Sequence, residues 1–532
     1  GKIQDTIIQG PPGTGKTDFI ARSVIAVYRF LSARRRDEEP VRILLTSNSH
    51  AAIINIINKI YEMTTDVELR DIRNALYKVL LNKSISDADV RLRLDEEHLL
   101  YEKAKTTDNI RRYKLHIKAN DVEFEPDNNP IIIGLTPWKC YDHGSLWSGG
   151  NLPEFDMVII DESSQVSLSA AFMAIGLRKA EGRTVIVGDD DQLSAIVQGN
   201  YIVENHDVDV YHSVLDYYRY YYSKNHPDEN VVCMLSENFR MNEALLGYSA
   251  KKIYGPRYTS FNDGIGGQKL RLGTQNDPEE NIDYIVNLIM DEDYPLVVCY
   301  LKGRRTHEQI AIEKYLIRKL SMSLYNRMRY PDGDRLVPYR PLVKFFGGQD
   351  DNITPALGIV VPHNSYKDNL RYVLKEDFKD LANERGEGET DEDYERRILD
   401  TILVGTVDKL QGQEREAIIV SYGIADVDQI NKEAEFIYSR NRLNVAITRA
   451  KKKMIVILPD NFAEYTLEIL MKSNNKLEEG IDFVAGLREY MRTADHNSGN
   501  TSVSENMEII MPYREDNMER EYRGSISIYR KQ

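Results

Sequence analysis

The stretch Gly10-Pro11-Pro12-Gly13-Thr14-Gly15-Lys16-Thr17 constrains this chain more than any other, because it spells out G-x-x-x-x-G-K-T between two differently patterned segments. Before it, Thr6-Ile7-Ile8-Gln9 reads as a short buried strand. After it, Phe19, Ile20, Val24, Val27, Phe30 and Leu31 recur at helical spacing. Strand, glycine-rich turn and helix, in that order, form the context in which this motif binds phosphate. The glycines let successive backbone N–H groups turn inward, and the helix N-terminus adds positive potential. Lys16 then reaches the β- and γ-phosphates, and the Thr17 hydroxyl is a ligand for Mg²⁺. Binding of a nucleoside triphosphate by Gly10, Pro12, Gly13, Thr14, Gly15, Lys16 and Thr17 is the expectation.

The second half of a phosphoryl-transfer site follows downstream. Phe155-Asp156-Met157-Val158-Ile159-Ile160 reads as a buried strand that delivers Asp161-Glu162-Ser163-Ser164-Gln165. Asp161 is expected in the Mg²⁺ shell and Glu162 to polarise the attacking water. Thr184–Asp189 is another strand with a polar exit, and it places Gln192 to sense a γ-phosphate. Val41–Thr46 ends likewise in Ser47-Asn48-Ser49-His50, at the strand end where parallel sheets bind ligands. The tyrosines at 217, 218, 220, 221 and 222 belong to a helix beginning near Tyr211 and are read as packing, not as base-stacking groups.

Composition narrows the partners only in part. The net charge of −15 argues against an overall attraction to polyanions, although a local basic groove on an acidic body is compatible with it. Cys140, Cys233 and Cys299 lie far apart without zinc-ligand spacing, which points to a reducing compartment and to an intracellular protein of nucleus or cytoplasm. No apolar run reaches the ~18–20 residues of a membrane span. The chain starts at Gly1 and is expected to be a trimmed piece of a longer protein.

The expected fold is α/β, in three segments. Residues 1–228 form a first domain, with a charge-rich, mainly helical insertion at about 62–129; residues 229–470 form a second. Residues 471–532 are a C-terminal extension, poorly ordered from about Asp495. Strands in the second domain are expected at Val231–Leu235, Leu296–Leu301, Leu357–Pro362, Ile402–Val404, Ala417–Ser421 and Met454–Leu458, with an acidic surface excursion over Glu376–Arg397.

In order along residues 6–460, these motifs resemble the superfamily 1 helicases, and among them the branch of the nonsense-mediated-decay helicase and senataxin. The set comprises Gln9 with the phosphate loop, Thr46–Ala51, Asp161–Gln165, Gly188-Asp189-x-x-Gln192-Leu193 and Asn238-Phe239-Arg240-Met241. It continues with Gly358–Asn364, Thr406–Glu414 and Arg442–Lys451. The resemblance implies two RecA-like parallel-sheet domains in tandem, with ATP in the cleft between them. It makes Arg240 and Arg449 arginine fingers, Phe239 a stacking partner of the base and Glu414 a carboxylate near the ribose. Single-stranded RNA or DNA is implied to cross Thr46, Ser47, Asn48, Thr136 and Pro137 on one side, and Pro362, His363, Thr406 and Val407 on the other. A monomeric 5′→3′ motor using ATP and Mg²⁺, with protein regulators as further partners, is the implied activity. A nucleotide-switched clamp or remodeller of complexes is the alternative. Ser194 and Ala195 stand where a proline is common in the family, and Ser163 and Ser164 where alanine is common. The glutamine motif and barrel-like insertion expected upstream of the phosphate loop do not occur in this sequence.

Overall fold

The computed structural model describes residues 4–35, 39–80, 92–107, 110–125, 129–144, 152–194, 213–227, 231–274, 277–339, 342–346, 354–379, 390–394, 396, 404–410, 413–463, 475–493, 502–515 and 518–532. Two compact units divide the chain, Gly1–Ser236 and Glu237–Gln532.

The strands of the first unit are β1 (Asp5–Gln9), β2 (Arg42–Thr46), β3 (Leu76–Leu80), β4 (Leu99–Thr107), β5 (Ile110–Ile117), β6 (Val122–Glu123), β7 (Ile131–Leu135), β8 (Phe155–Ile160), β9 (Arg178–Gly188) and β10 (Val232–Met234). They make one sheet in the order β10-β1-β9-β8-β2-β7-β3-β4-β5-β6. Pairing is parallel from β10 to β4 and antiparallel from β4 to β6. The near-continuous Ile, Leu and Val runs of β2, β7 and β8 have the composition of parallel strands covered on both faces. Helices α1 (Lys16–Arg34) and α2 (His50–Met63) cover one face: Ile20 and Val24 with Ile53, Ile56, Ile57 and Ile60 pack on Ile8, Leu45 and Ile132. After the short α3 (Arg70–Asn74) and α4 (Pro137–Gly144), α5 (Leu168–Ile175) and α6 (Val214–Asn225) cover the other, where Ala170, Ala171, Ala174, Val214 and Leu215 meet Ile7, Leu44 and Ile133.

The mainly helical insertion expected at 62–129 is corrected by this sheet. Its described part forms β3 to β6, and the only α-helix beginning inside it among the described residues is the five-residue α3, beside single 3₁₀ turns at Val67–Leu69 and Glu96–His98. Leu76, Val79 and Leu80 fit a helical spacing, but Leu76, Tyr77 and Lys78 pair with Ile132, Ile133 and Gly134 of β7. In β5 the alternation Tyr113, Leu115, Ile117 has the period of two that marks a strand. The first unit also runs further than residue 228: Val232 and Met234 pair with Ile7 and Gln9, so the strand expected to open the second domain is an edge of the first sheet.

In the second unit, β11 (Glu237–Asn238) pairs with β12 (Thr259–Ser260), and β13 (Arg271–Leu272) belongs to a small sheet with β15 (Met328–Asp332) and β16 (Arg335–Pro338). The main sheet contains β14 (Leu296–Gly303), β17 (Leu357–Val361), β18 (Val404–Thr406), β19 (Arg415–Ser421), β20 (Ala450–Pro459), β21 (Ser502–Glu515) and β22 (Met518–Lys531). Their order is β18-β17-β19-β20-β14-β22-β21. The five strands from β18 to β14 are parallel, as the expected tandem α/β architecture requires. Helices Thr306–Arg327 and Asn364–Phe378 pack on one face through Ile312, Leu316, Leu320, Leu370 and Leu374. The acidic excursion expected at Glu376–Arg397 falls largely outside the described residues.

The poorly ordered tail expected beyond Asp495 is the second correction. Residues 502–515 and 518–531 form a hairpin whose β22 pairs antiparallel with all of β14 through Gly524–Lys531. Ile526 and Ile528 alternate with Ser525 and Ser527 and are buried with Ile509 in the core. Two apolar residues in a polar run look like too little to fold, yet the sheet supplies the rest of the cover. The outer edge of β21 is partly capped, since Asn281 Nδ2 donates to Glu508 O at 3.0 Å and Ile510 N donates to Asn281 Oδ1 at 3.2 Å. Truncating Ile528 to alanine is therefore expected to cost about 2–5 kcal/mol, read by chemical denaturation. A loss below ~0.5 kcal/mol would place that side chain outside the core.

Candidate nucleotide-binding site

The first unit gathers its predicted residues at the carboxyl ends of β1, β8 and β9. Gly13 and Gly15 adopt left-handed φ of 74° and 72°, which a side chain would strain. A Cβ at Gly10 would overlap the Lys16 stem. Gly10 N donates to Gly188 O at 2.8 Å, tying the loop to the exit of β9. Thr14 Oγ1 donates to Pro11 O at 2.7 Å, and Lys16 Nζ folds back onto Gly10 O at 2.6 Å. Helix α1 starts at Lys16 without a side-chain cap, so its first-turn N–H groups and Thr17 face the loop that a phosphate would fill.

Asp161 is buried, and its backbone N donates to Thr46 O at 2.9 Å. Its Oδ1 has no hydrogen-bond partner. Burial, and then the charge of Glu162, push its pKa up to about 7 against the pull of Lys16. A buried carboxylate with an unmet oxygen, facing a triphosphate loop, fits a divalent cation. Thr17 and Asp161 are the residues that would hold Mg²⁺ there, and the ion would supply charge neutralisation for the phosphates. Glu162 has φ of 49°, one of two left-handed non-glycine residues among those described, and Gln165 Nε2 lies 3.5 Å from its Oε2. Strain of this kind persists where the surroundings dictate a side chain's direction.

Gln9 and Gln192 converge on one carboxylate. Each donates its amide nitrogen to Asp189 at 2.8 Å, and Gln9 Nε2 also reaches Asp190 Oδ1 at 2.6 Å. Arg219 of α6 forms an ion pair with Asp190. The sequence points to both glutamines and quotes Asp189 in a motif, but it assigns no role to Asp189, Asp190 or Arg219, which orient them. The aspartates adjoin Gly188 in a quoted motif, whereas Arg219 stands among tyrosines with no motif to mark it. The tyrosine helix itself packs as expected, with Tyr222 OH donating to Asp5 Oδ2 at 2.6 Å.

The predicted strand-exit residues of the first unit lie side by side, since Thr46 is in register with Leu135. Thr46, Ser47 and Pro137 are buried, Thr136 is half-buried and Asn48 is exposed, donating to Gln165 O at 2.5 Å. In the second unit Val361 is in register with Thr406, which brings Pro362 and His363 beside Thr406 and Val407. The His363 ring stacks on Phe436 at 5.1 Å, with Nε2 at 2.8 Å from Glu433 Oε2.

Also within the second unit, Asn238 scaffolds the predicted nucleotide residues. Its Oδ1 accepts Arg240 N and Met241 N at 2.8 and 2.7 Å. Arg240 Nε donates to Glu414 Oε2 at 2.5 Å and Nη1 to Thr448 O at 3.3 Å. Lys451 Nζ sits 2.8 Å from Glu414 Oε1. Burial opposes the charge of Glu414, but Arg240 and then Lys451 outweigh it and lower its pKa to about 2. Because the folded pKa is depressed, this cluster stabilises the unit above the ordinary carboxylate range and loses that contribution as pH falls towards 2. Arg449 is buried, with Nε donating to Val445 O at 3.0 Å. Phe239 is half-exposed and packs on Phe261 with centroids 4.5 Å apart. Lys451 and Phe261 were not singled out from sequence; the first lies in the Arg449 motif, while the second is found only through the β11–β12 pairing.

Comparison with known proteins bears on this arrangement. Two family models, each described as an AAA domain, match residues 2–129 with 146–200, and residues 218–460. The DNA replication ATP-dependent helicase/nuclease DNA2 of Mus musculus is 24% identical over 463 residues, covering 85% of this chain and 35% of its own. With the two models, this relative makes the chain similar to the superfamily 1 helicases. The DNA polymerase alpha-associated DNA helicase A of Saccharomyces cerevisiae is 22% identical over 506 residues, 88% of this chain and 64% of that protein. The chain spans about a third of the mouse relative's length. Among solved structures, a DEAD-box helicase bound to ssRNA and UDP-BeF aligns over 89% of this chain and 70% of its own, at 10% identity and a TM-score of 0.40. Among the described residues no helix is long and apolar enough to cross a membrane.

Proposed function

We propose that this chain is a superfamily 1 helicase that hydrolyses ATP with Mg²⁺ to drive movement along single-stranded nucleic acid. The observation that carries the reading is the meeting of Lys16, the Asp161 carboxylate with its unpartnered Oδ1, Glu162 and Gln192 at adjacent strand ends. Lys16 and the first turn of α1 hold the triphosphate; Glu162 takes the proton of the attacking water; Gln192, braced by Asp189, senses the γ-phosphate. Arg240 and Arg449 supply transition-state charge, Phe239 stacks on the base and Glu414 approaches the ribose. Thr46, Ser47, Asn48, Thr136 and Pro137, with Pro362, His363, Thr406 and Val407, line the path of the strand. ATPase turnover with and without a single-stranded oligonucleotide tests the coupling. Turnover indifferent to the strand would remove nucleic acid from the mechanism.

The polarity we infer is 5′→3′, for a motor that works as a monomer. The insertion lies in the first unit, as β3 to β6, and the span from Arg240 to Thr406 leaves little space for the large second-domain insertion of the opposite branch. Unwinding is expected for a partial duplex with a 5′ overhang and not for one with a 3′ overhang. Strand affinity should fall with salt, at a log–log slope of about −0.7 per phosphate contact. Opening of the 3′-tailed duplex alone would refute the polarity. Strand-stimulated ATPase with neither duplex opened would favour a clamp or remodeller, and running RNA and DNA strands in parallel decides the substrate.

A further inference from the structure

Helix α4 is turned the opposite way from a helix that only packs. It follows β7 directly, and the side chains it buries are Pro137 and Cys140. Its Lys139 is mostly enclosed too, held by Glu102 of β4 at 2.6 Å and by Asp142 at 3.1 Å. Left in water beside the polar Asp142 are its two large aromatics, Trp138 at 63% and Tyr141 at 55% exposure. Three positions apart, they are neighbours on one helical face. Amphipathic helices place such groups inward, and exposing them forfeits about 25 cal/mol for each Å² of apolar surface left in water. A face inverted in this way, anchored by a core cysteine and an ion pair, marks a surface built to be covered.

Its position indicates the occupant. Leu135 is in register with Thr46, so α4, which carries Trp138, begins at the strand exit next to the one that leads to the exposed Asn48. The chain carries a net charge of −15, so affinity for a polyanion cannot rest on bulk attraction. Stacking of bases on aromatic rings needs no positive charge and tolerates any sequence. We propose that Trp138 and Tyr141 form a stacking platform for the bases of a single strand whose backbone crosses the exits of β2 and β7. This rests on the proposed function, which puts nucleic acid on those exits. The exits hold sugar and phosphate, the platform holds bases, and together they set the strand's register on the first unit.

Fluorescence polarisation of the full chain with two labelled strands of equal length, oligothymidylate and a strand of abasic sites, separates the contributions. Trp138→Ala should weaken oligothymidylate binding about tenfold, within the range for one stacked base, and leave the abasic strand's affinity unchanged. Tyr141→Ala should do the same to a smaller extent, and Trp138→Phe should restore most of the loss. Basal ATPase and thermal melting, unchanged in these variants, exclude a folding defect. If the parent chain binds neither strand, the nucleic-acid reading fails and the platform with it. If the parent binds and Trp138→Ala binds equally well, the platform alone is overturned and the face serves something other than bases. Equal losses for both strands overturn it too, because they assign Trp138 to the backbone path.

Discussion

Replacing Arg240 with alanine lowers kcat for ATP hydrolysis by as much as about 10³–10⁵-fold, the range for an arginine finger, and leaves ATP affinity close to that of the parent chain. The guanidinium is already oriented, with Nε on Glu414 and Nη1 on the Thr448 carbonyl, and its Nη2 has no partner among the described residues. A fork fixed at two corners and open at the third loses little entropy when it meets developing charge. Arg240→Lys should recover little, since an ammonium cannot keep both anchors and also reach a phosphate. Glu414→Gln should cost less than Arg240→Ala, because it loosens the fork without removing it. Hydrolysis by Arg240→Ala at the parent rate, with nucleic acid saturating, would make this arginine structural. Arg449→Ala is a mixed case: its buried guanidinium donates to Val445 O in the helix Arg440–Ile447 that ends just before it, so a fall in melting temperature should accompany the lost turnover.

The second large effect separates binding from chemistry in the first unit. Lys16→Ala removes turnover by weakening phosphate binding, whereas Glu162→Gln keeps ATP binding and loses turnover by about 10²–10⁴-fold. The structure supports the division: Lys16 lies within the loop itself, while Glu162 stands at the exit of β8 on a strained backbone that aims it. Equilibrium nucleotide binding alongside kcat for both variants provides the check. Normal turnover in Glu162→Gln would sink its assignment as the base.

Much of this site could be read before any coordinates existed, because its parts are local. A phosphate loop is eight contiguous residues, and Asp161-Glu162 ends an apolar run; neither needs a distant partner to be recognised. The elements that escaped depend on distant pairing. Leu76, Val79 and Leu80 suit either a helix or a strand, and only the partner β7 decides between them. Ile526 and Ile528 have too few apolar neighbours in sequence to suggest a strand, and the hydrogen-bonded ladder to β14 makes one. Arg219 is charged, half-exposed and far from any motif, so nothing short of the fold brings it to Asp190. Trp138 shows the reverse: its place beside Thr136-Pro137 was visible, but its exposure was not.

The pairing of β14 with β22 also governs how the second unit comes into being on the ribosome. Gly303 and its partner Gly524 are separated by 221 residues of chain. At a synthesis rate of about 5–20 residues per second, that interval lasts roughly 10–40 s. Throughout it, a nascent chain has made the buried strand Leu296–Leu301 but not the partner that closes its flank. The core of the second unit is therefore exposed to misassembly for far longer than a helix or hairpin takes to form. Completion of its sheet waits on the last strand to be made, whatever the local propensity of the segments before it.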